Sequence, residues 1–399
     1  MEYTKTTLGE ISIGKGQYGI GASAVDYSDE LYTYLRITDI NDDGTLNDSD
    51  LKSVDDPKAG EYLLAPNDIV FARTGNSTGR NYFYDGSDGD FVYAGFLIKF
   101  SIDPAKVNPR FIKYYCQSDA YKGWVQGHST GSTRGNINAQ TYAGMEIMLP
   151  PREQQDKLVK ILDDLEAKRK VNAQINRNLS EQAQAVYKSW FIDFEPYGGV
   201  LPDSWNEGTL GDLAEIRTDA FRPDKNPDVI VEHYSIPALD EKNYPVFEEA
   251  AGIKSNKYFV TKDDVMFSKL NPDTKRIWRP YCLSAYPVCS TEFMIYRAFK
   301  PENKDFVYSI IDSAPFLQHV CAHTSGSTNS RQRAIPATTL NFVVAIPTED
   351  VITDFCGIVT PLYELMEKNI IENQRLAETR DRLLPKLMSG ELDVSDLEI

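Results

Sequence analysis

The strongest constraint on this chain is that its sequence is written twice. Leu8-Gly9-Glu10 returns 202 positions later as Leu210-Gly211-Asp212, and Asp68-Ile69-Val70-Phe71-Ala72-Arg73 returns 196 later as Asp264-Val265-Met266-Phe267-Ser268-Lys269. Ser129-Thr130-Gly131-Ser132-Thr133 returns 195 later as Thr324-Ser325-Gly326-Ser327-Thr328, and Met148-Leu149-Pro150 returns 197 later as Ala345-Ile346-Pro347. The order is the same in both copies, which is a tandem duplication of about half the chain and not a short-period solenoid.

Each copy opens with short apolar runs between Gly, Pro, Asn and Asp turns, which predicts strands over Tyr34–Ile40, Asp68–Ala72 and Phe91–Phe100. The character then changes. From Pro150-Pro151 to Pro196 the chain has no Pro or Gly and is rich in helix formers, and its counterpart runs from Glu349 to Arg382 around a single glycine, Gly357. The expected fold class is α+β, with two pseudo-repeated domains each followed by a long helix. The expected boundaries are 1–150, 151–196, 197–347 and 348–399, the last including an acidic tail.

Both helices carry a seven-residue seam: Leu158, Leu165, Asn172, Leu179 and Val186 in one, Phe355, Leu362, Asn369, Leu376 and Leu383 in the other, each pair 197 apart. A surface helix with a core stripe accounts for either seam alone. The matched asparagine favours an antiparallel coiled coil whose register Asn172 and Asn369 fix, as a lone polar core residue does. Gln155 to Trp190 is 36 residues, or about 54 Å of helix. An antiparallel pair of that length would act as a ruler between two related domains, which suits a ligand with a similar dyad such as duplex DNA.

Charge bears on that idea. The net charge is −17, which argues against coating nucleic acid by bulk charge. The acid is unevenly spread: residues 1–68 hold 5 basic and 14 acidic residues but 69–150 hold 8 and 6, and 197–264 hold 7 and 14 but 265–347 hold 9 and 5. In the less acidic parts, Arg73 to Tyr84 supplies Arg73, Thr74, Asn76, Ser77, Thr78 and Arg80, and its counterpart supplies Lys269, Asn271, Thr274, Lys275 and Arg276. A second loop offers Ser132, Thr133, Arg134 and Asn136, recurring as Ser327, Thr328, Arg331, Gln332 and Arg333. Arg, Asn and Gln can read base edges, while Ser, Thr and Lys mostly hold phosphates. A hairpin turn with solvated charges accounts for one copy; recurrence favours DNA contact.

The motifs of catalysis are missing. There is no G-x-x-x-x-G-K-[ST] loop, G-x-S-x-G elbow or H-E-x-x-H, nor the Asn-Pro-Pro-aromatic motif of an amino-methyltransferase. Five unpaired cysteines suggest reduced thiols, and His319, Cys321 and His323 read as helix packing before metal ligation. No run reaches the roughly 18 apolar residues of a membrane helix. The start lacks the regions of a secretory signal, so a cytoplasmic location is expected.

Two strings carry a resemblance. Pro150-Pro151-Arg152-Glu153-Gln154-Gln155 onward to Lys188-Ser189-Trp190-Phe191-Ile192-Asp193-Phe194-Glu195-Pro196 resembles the central conserved region of the specificity subunits of type I restriction-modification systems. Arg380 to Leu392 resembles their distal conserved region, although the second helix opens with Pro347-Thr348-Glu349-Asp350 in place of the Pro-Pro-x-Glu-Gln string. The resemblance implies two target recognition domains reading a bipartite double-stranded DNA site across a helical spacer. It implies two modification subunits that methylate adenine with S-adenosylmethionine, and restriction subunits using ATP and Mg. This chain itself would be non-catalytic and without cofactor or metal. Trp190, Phe191 and Phe194 then become a candidate partner-binding or domain-docking surface, with ordinary packing against the recognition domain an equal alternative. The competing reading is a scaffold whose helices pair with another chain.

Overall fold

The computed structural model describes residues 3–129, 136–325, 332–395 and 397. It contains two compact units, 1–167 with 376–399, and 168–375, so each long helix contributes to both.

In unit 1 a four-stranded antiparallel sheet has the order Ser12–Tyr18, Leu97–Ile102, Asp68–Ala72, Asn81–Tyr84. Asp68 starts its strand because its carboxylate caps the turn before it, accepting from Ala65 N at 2.8 Å, and is held by Ser101 Oγ at 2.5 Å and Lys99 Nζ at 3.2 Å. The alternating apolar residues of these strands then face the helix Pro109–Tyr115 in a core containing Phe71, Phe100, Phe111 and Tyr142. A second sheet, ordered Ala24–Asp26, Lys52–Val54, Tyr32–Leu35, Phe91–Tyr93, includes one parallel pair. Thr4–Thr7 pairs with Glu146–Leu149, and Leu384, Leu387 and Val394 join Leu158 and Leu162 in the core.

Unit 2 has the corresponding sheet in the corresponding order: Ala214–Arg217, Phe293–Ala298, Asp264–Ser268, Ile277–Trp278. Asp264 caps Thr261 N at 2.7 Å as Asp68 caps Ala65, with Arg297 in place of Lys99 at 2.8 Å. The accompanying sheet is five-stranded and also has one parallel pair, between Ile230–Tyr234 and Pro287–Ser290.

Local chemistry alters some expected elements. The strand expected to run to Ile40 stops at Leu35, because Asp39 folds back onto Arg36 N at 2.8 Å and pairs with its guanidinium at 2.6 Å, giving a 3-10 turn over Ile37–Asp39. The run Phe91–Phe100 is two strands, broken where Leu97 N turns back to Ala94 O at 2.8 Å. The helices span Arg152–Phe191 and Glu349–Ser389. The second passes through Pro361 and Pro385, although an interior proline costs about 3 kcal/mol. Both prolines face solvent while Val359, Tyr363, Leu384 and Leu387 beside them are buried, so packing offsets the lost bonds, and the freed carbonyls belong to exposed Gly357 and Asp381. Among the described residues no helix is long and apolar enough to cross a membrane.

Along the seams, Leu158, Asn172, Phe355 and Asn369 are buried, whereas Leu165, Leu179, Val186, Leu362, Leu376 and Leu383 are half-buried. Where the seam residues are only half-buried, Leu162, Ala183, Tyr187, Val359 and Tyr363 beside them are buried instead, as happens when a 3.6-residue helix drifts against a seven-residue pattern. In unit 2, Asn172 Nδ2 donates to Asn373 Oδ1 at 3.0 Å and Asn369 Nδ2 to Asn176 Oδ1 at 2.8 Å. Asn176 Nδ2 donates to Met366 O at 3.0 Å and Asn373 Nδ2 to Arg169 O at 3.2 Å. Each bond of this set maps onto its counterpart by the 197-residue offset. Asn172 and Asn369 therefore bond to each other's neighbours and not to one another. One bond breaks the symmetry: Asn172 Nδ2 also reaches Glu372 Oε2 at 2.7 Å.

Candidate nucleic-acid interface

The two loops singled out in each copy are far apart in sequence and meet through their main chains. In unit 1 the chain leaves the strand Asp68–Ala72 at Arg73, whose carbonyl accepts from Ile137 N at 3.0 Å, and Thr74 forms a bridge with Asn136. In unit 2 Lys269 O accepts from Ala334 N at 2.9 Å, Leu270 bridges Arg333, and Asn271 N donates to Gln332 O at 2.9 Å. The same loop-on-loop contact thus occurs at equivalent places. Ser132, Thr133, Arg134, Ser327, Thr328 and Arg331 lie outside the described residues.

The first loop of unit 1 is built on Gly75, at φ 71°, whose carbonyl accepts from Thr78 Oγ1 at 2.8 Å. Asn76 is exposed, and Thr74, Ser77 and Thr78 are half-buried. In unit 2 the left-handed residue is Asn271, φ 46°, with Thr274 exposed beside it. Asn tolerates this conformation better than other non-glycine residues.

The cations divide into two sets. Arg80 Nε bonds Asp42 at 2.6 Å, Arg276 holds Asp240 through two bonds of 2.6 and 2.9 Å, Lys275 meets Asp312 at 2.6 Å, and Arg333 holds Glu292 at 3.0 and 3.1 Å. These four groups brace the loops against the rest of their own unit. Arg73 and Lys269 make no ion pair among the described residues; the Arg73 guanidinium lies 5.0 Å from the Tyr18 ring centre, and its Nε has no hydrogen-bond partner there. The pattern reading missed Tyr18 and also Phe96, an exposed residue whose carbonyl accepts from Arg73 N at 3.0 Å. The adjacent Gly95, which interrupts an apolar run, is the sequence signal for a turn at that position.

The aromatic cluster at the end of the first helix is occupied by packing. Phe191 is buried in the core of unit 2, 4.9 Å from both Phe306 and Phe355 between ring centres, and half-buried Trp190 and Phe194 stack near Phe355 and Trp205. Of the readings open for these residues, packing against this chain's own domain is the one the structure shows. His319 donates from Nε2 to Thr338 O at 2.9 Å, and no group of three metal-ligating side chains occurs among the described residues.

A family model described as the type I restriction modification DNA specificity domain matches residues 2–181. Within those bounds the chain is similar to such a specificity domain. Over more of its length the chain is similar to two proteins of that class. One is the type I restriction enzyme HindI specificity subunit of Haemophilus influenzae, at 22% identity over 90% of this chain and 95% of the relative. The other is the MjaIX specificity subunit of Methanocaldococcus jannaschii, at 24% identity over 72% and 70%. A crystal structure of the type I S subunit from M. genitalium shares the fold, with TM-score 0.58 and 15% identity over 97% of this chain and 96% of that one. The matched specificity domain contains the Arg73 loop, Asn136 and most of the first long helix.

Proposed function

We propose that this chain is the DNA-reading subunit of a type I restriction-modification complex. Its two pseudo-repeated domains each read one half of a bipartite target, and its long helices pair antiparallel as a coiled coil that sets the unspecified gap. Two modification subunits bind it and methylate adenine with S-adenosylmethionine; restriction subunits add ATP- and Mg-dependent cleavage. The chain performs no chemistry itself and works as a soluble cytoplasmic protein.

The observation that carries this reading is the loop-on-loop contact at Arg73–Ile137 and again at Lys269–Ala334, each at the end of an equivalent strand. Two copies of one polar surface, with different side chains in each, are what reading two different half-sites requires. The paired asparagine bonds support the antiparallel alignment. The test is methylome sequencing of a strain lacking this gene, with and without complementation. A bipartite adenine-methylated motif returns with the gene; its absence overturns the reading. Binding of the assembled complex should also fall with salt as counterions are displaced. The scaffold alternative draws on Arg80, Arg276 and Arg333 being neutralised by their own carboxylates, and equal affinity of the complex for target and non-target duplex would favour it.

A further inference from the structure

Four segments of unit 1 converge on one exposed spot. Tyr18 ends the strand Ser12–Tyr18, and its hydroxyl accepts from Ala139 N at 3.2 Å, just past the second loop. Arg73 lies over its ring, bonds Phe96 through the main chain and receives Ile137 N. Phe96 is 55% exposed and Tyr18 43%. The spot is rigid. Gly19 N donates to Leu97 O at 3.2 Å and Ile20 N to Tyr93 O at 3.0 Å, and a Cβ on Gly19 would stand 2.2 Å from Tyr93 O. The backbones carrying Tyr18 and Phe96 are therefore in direct contact, with no room for a side chain between them.

At the equivalent place in unit 2, Lys269 N donates to Glu292 O at 2.7 Å, so Glu292 occupies the Phe96 position, and its carboxylate is held by Arg333. One unit thus presents an aromatic pair with a guanidinium that has no carboxylate partner among the described residues. The other presents a carboxylate already bound by a cation.

We infer that Tyr18, Arg73 and Phe96 form the base-reading contact of unit 1, which rests on the DNA-reading function proposed above. The Tyr18 ring holds the Arg73 guanidinium by a cation–π contact. The free edge of the fork then donates to O6 and N7 of a guanine, and Phe96 packs on the methyl of a neighbouring thymine in the major groove. Tyr18 is a positioning residue; Arg73 and Phe96 touch the bases.

The test uses the full chain in its complex, with methylomes of strains complemented by the parent gene, by Phe96→Ala and by Arg73→Lys. Phe96 is exposed, so its truncation leaves the core intact, and Arg73→Lys keeps the charge while removing the fork. Each variant should lower methylation at parental sites roughly ten- to a hundredfold and relax the base preference in one half-site, leaving the other half-site and the gap unchanged. Unchanged preference in both halves overturns the inference and leaves the DNA-reading function standing. A uniform loss across all sequences also overturns it, because that marks a phosphate contact. Absence of a bipartite motif with the parent gene removes the function and the inference together.

Discussion

Replacing Asn172 and Asn369 together by leucine tests what the polar break in the helix seams does. Three hydrogen bonds are lost. The two amide–amide bonds, Asn172–Asn373 and Asn369–Asn176, are each worth about 1 kcal/mol net. The bond to Glu372 is worth about 1.5 kcal/mol, the low end for a charged partner, since that carboxylate is 44% exposed. Against this, Asn172 Oδ1 is buried with no partner among the described residues, and removing it recovers about 1–3 kcal/mol. Burying two leucines at positions 1% and 8% exposed adds about 1.5–3 kcal/mol each. Asn176 and Asn373 are half-buried, so water reaches the oxygens left behind, and their amides keep Met366 O and Arg169 O. The gains match or exceed the losses, so the melting temperature should stay level or rise by several degrees. The directional bonds that define alignment are gone, however, and helix register should broaden. Spin labels at exposed positions 171 and 365, in a background where half-buried Cys282 and Cys321 are serine, should show one narrow distance in the parent and a broadened or split distribution in the variant. A melting temperature lowered by more than about 5 °C, or an unchanged single distance, refutes the reasoning.

Two further outcomes follow from the electrostatics. Arg276 is largely buried and holds Asp240 through Nε and Nη2, whereas Arg80 makes one bond to a well-exposed Asp42 and one to Ile40 O at 3.1 Å. Arg276→Ala should cost about 1–2 kcal/mol in thermal or urea unfolding and Arg80→Ala less than about 1 kcal/mol; equal losses would contradict this. Glu367 is held above the ordinary carboxylate range by burial, which outweighs attraction from Arg279, Lys262 and Lys304, and Glu364 adds to the rise. A carboxyl whose folded pKa is raised supplies stability below its unfolded pKa and loses it as pH rises through the folded value. Glu367→Gln should therefore stabilise the chain near pH 7.5 relative to parent and have little effect near pH 4. A urea midpoint that falls at pH 7.5 would show that the attraction wins.

Local chemistry was legible from sequence and convergence was not. The strand Asp68–Ala72 and its copy follow from an aspartate that caps its own turn before an apolar run, and the helix starts follow from Pro150-Pro151 and Pro347. Gly95 signals the break at Ala94-Gly95-Phe96, but the exposure of Phe96 is not legible, because it looks like one more core residue in an apolar run and only the three-dimensional turn turns it outward. The second helix outran its expected end because proline propensity is a local quantity, and Leu384 and Leu387 are buried by residues more than 200 positions away. The cations were found as residue types. Which of them are bound by Asp42, Asp240, Asp312 and Glu292, and which keep their fork free, depends on pairs that no short window contains.

Unit 2 is continuous in sequence, whereas unit 1 takes its last segment from beyond residue 375. During synthesis, Leu158 and Leu162 therefore emerge long before the residues that cover them, Leu384, Leu387 and Val394. At about 5–20 residues per second the wait is roughly 10–40 s. Throughout that interval unit 2 can be completed while the apolar face of unit 1 stays open to water and to chaperones. The half that begins first on the ribosome is the half that closes last.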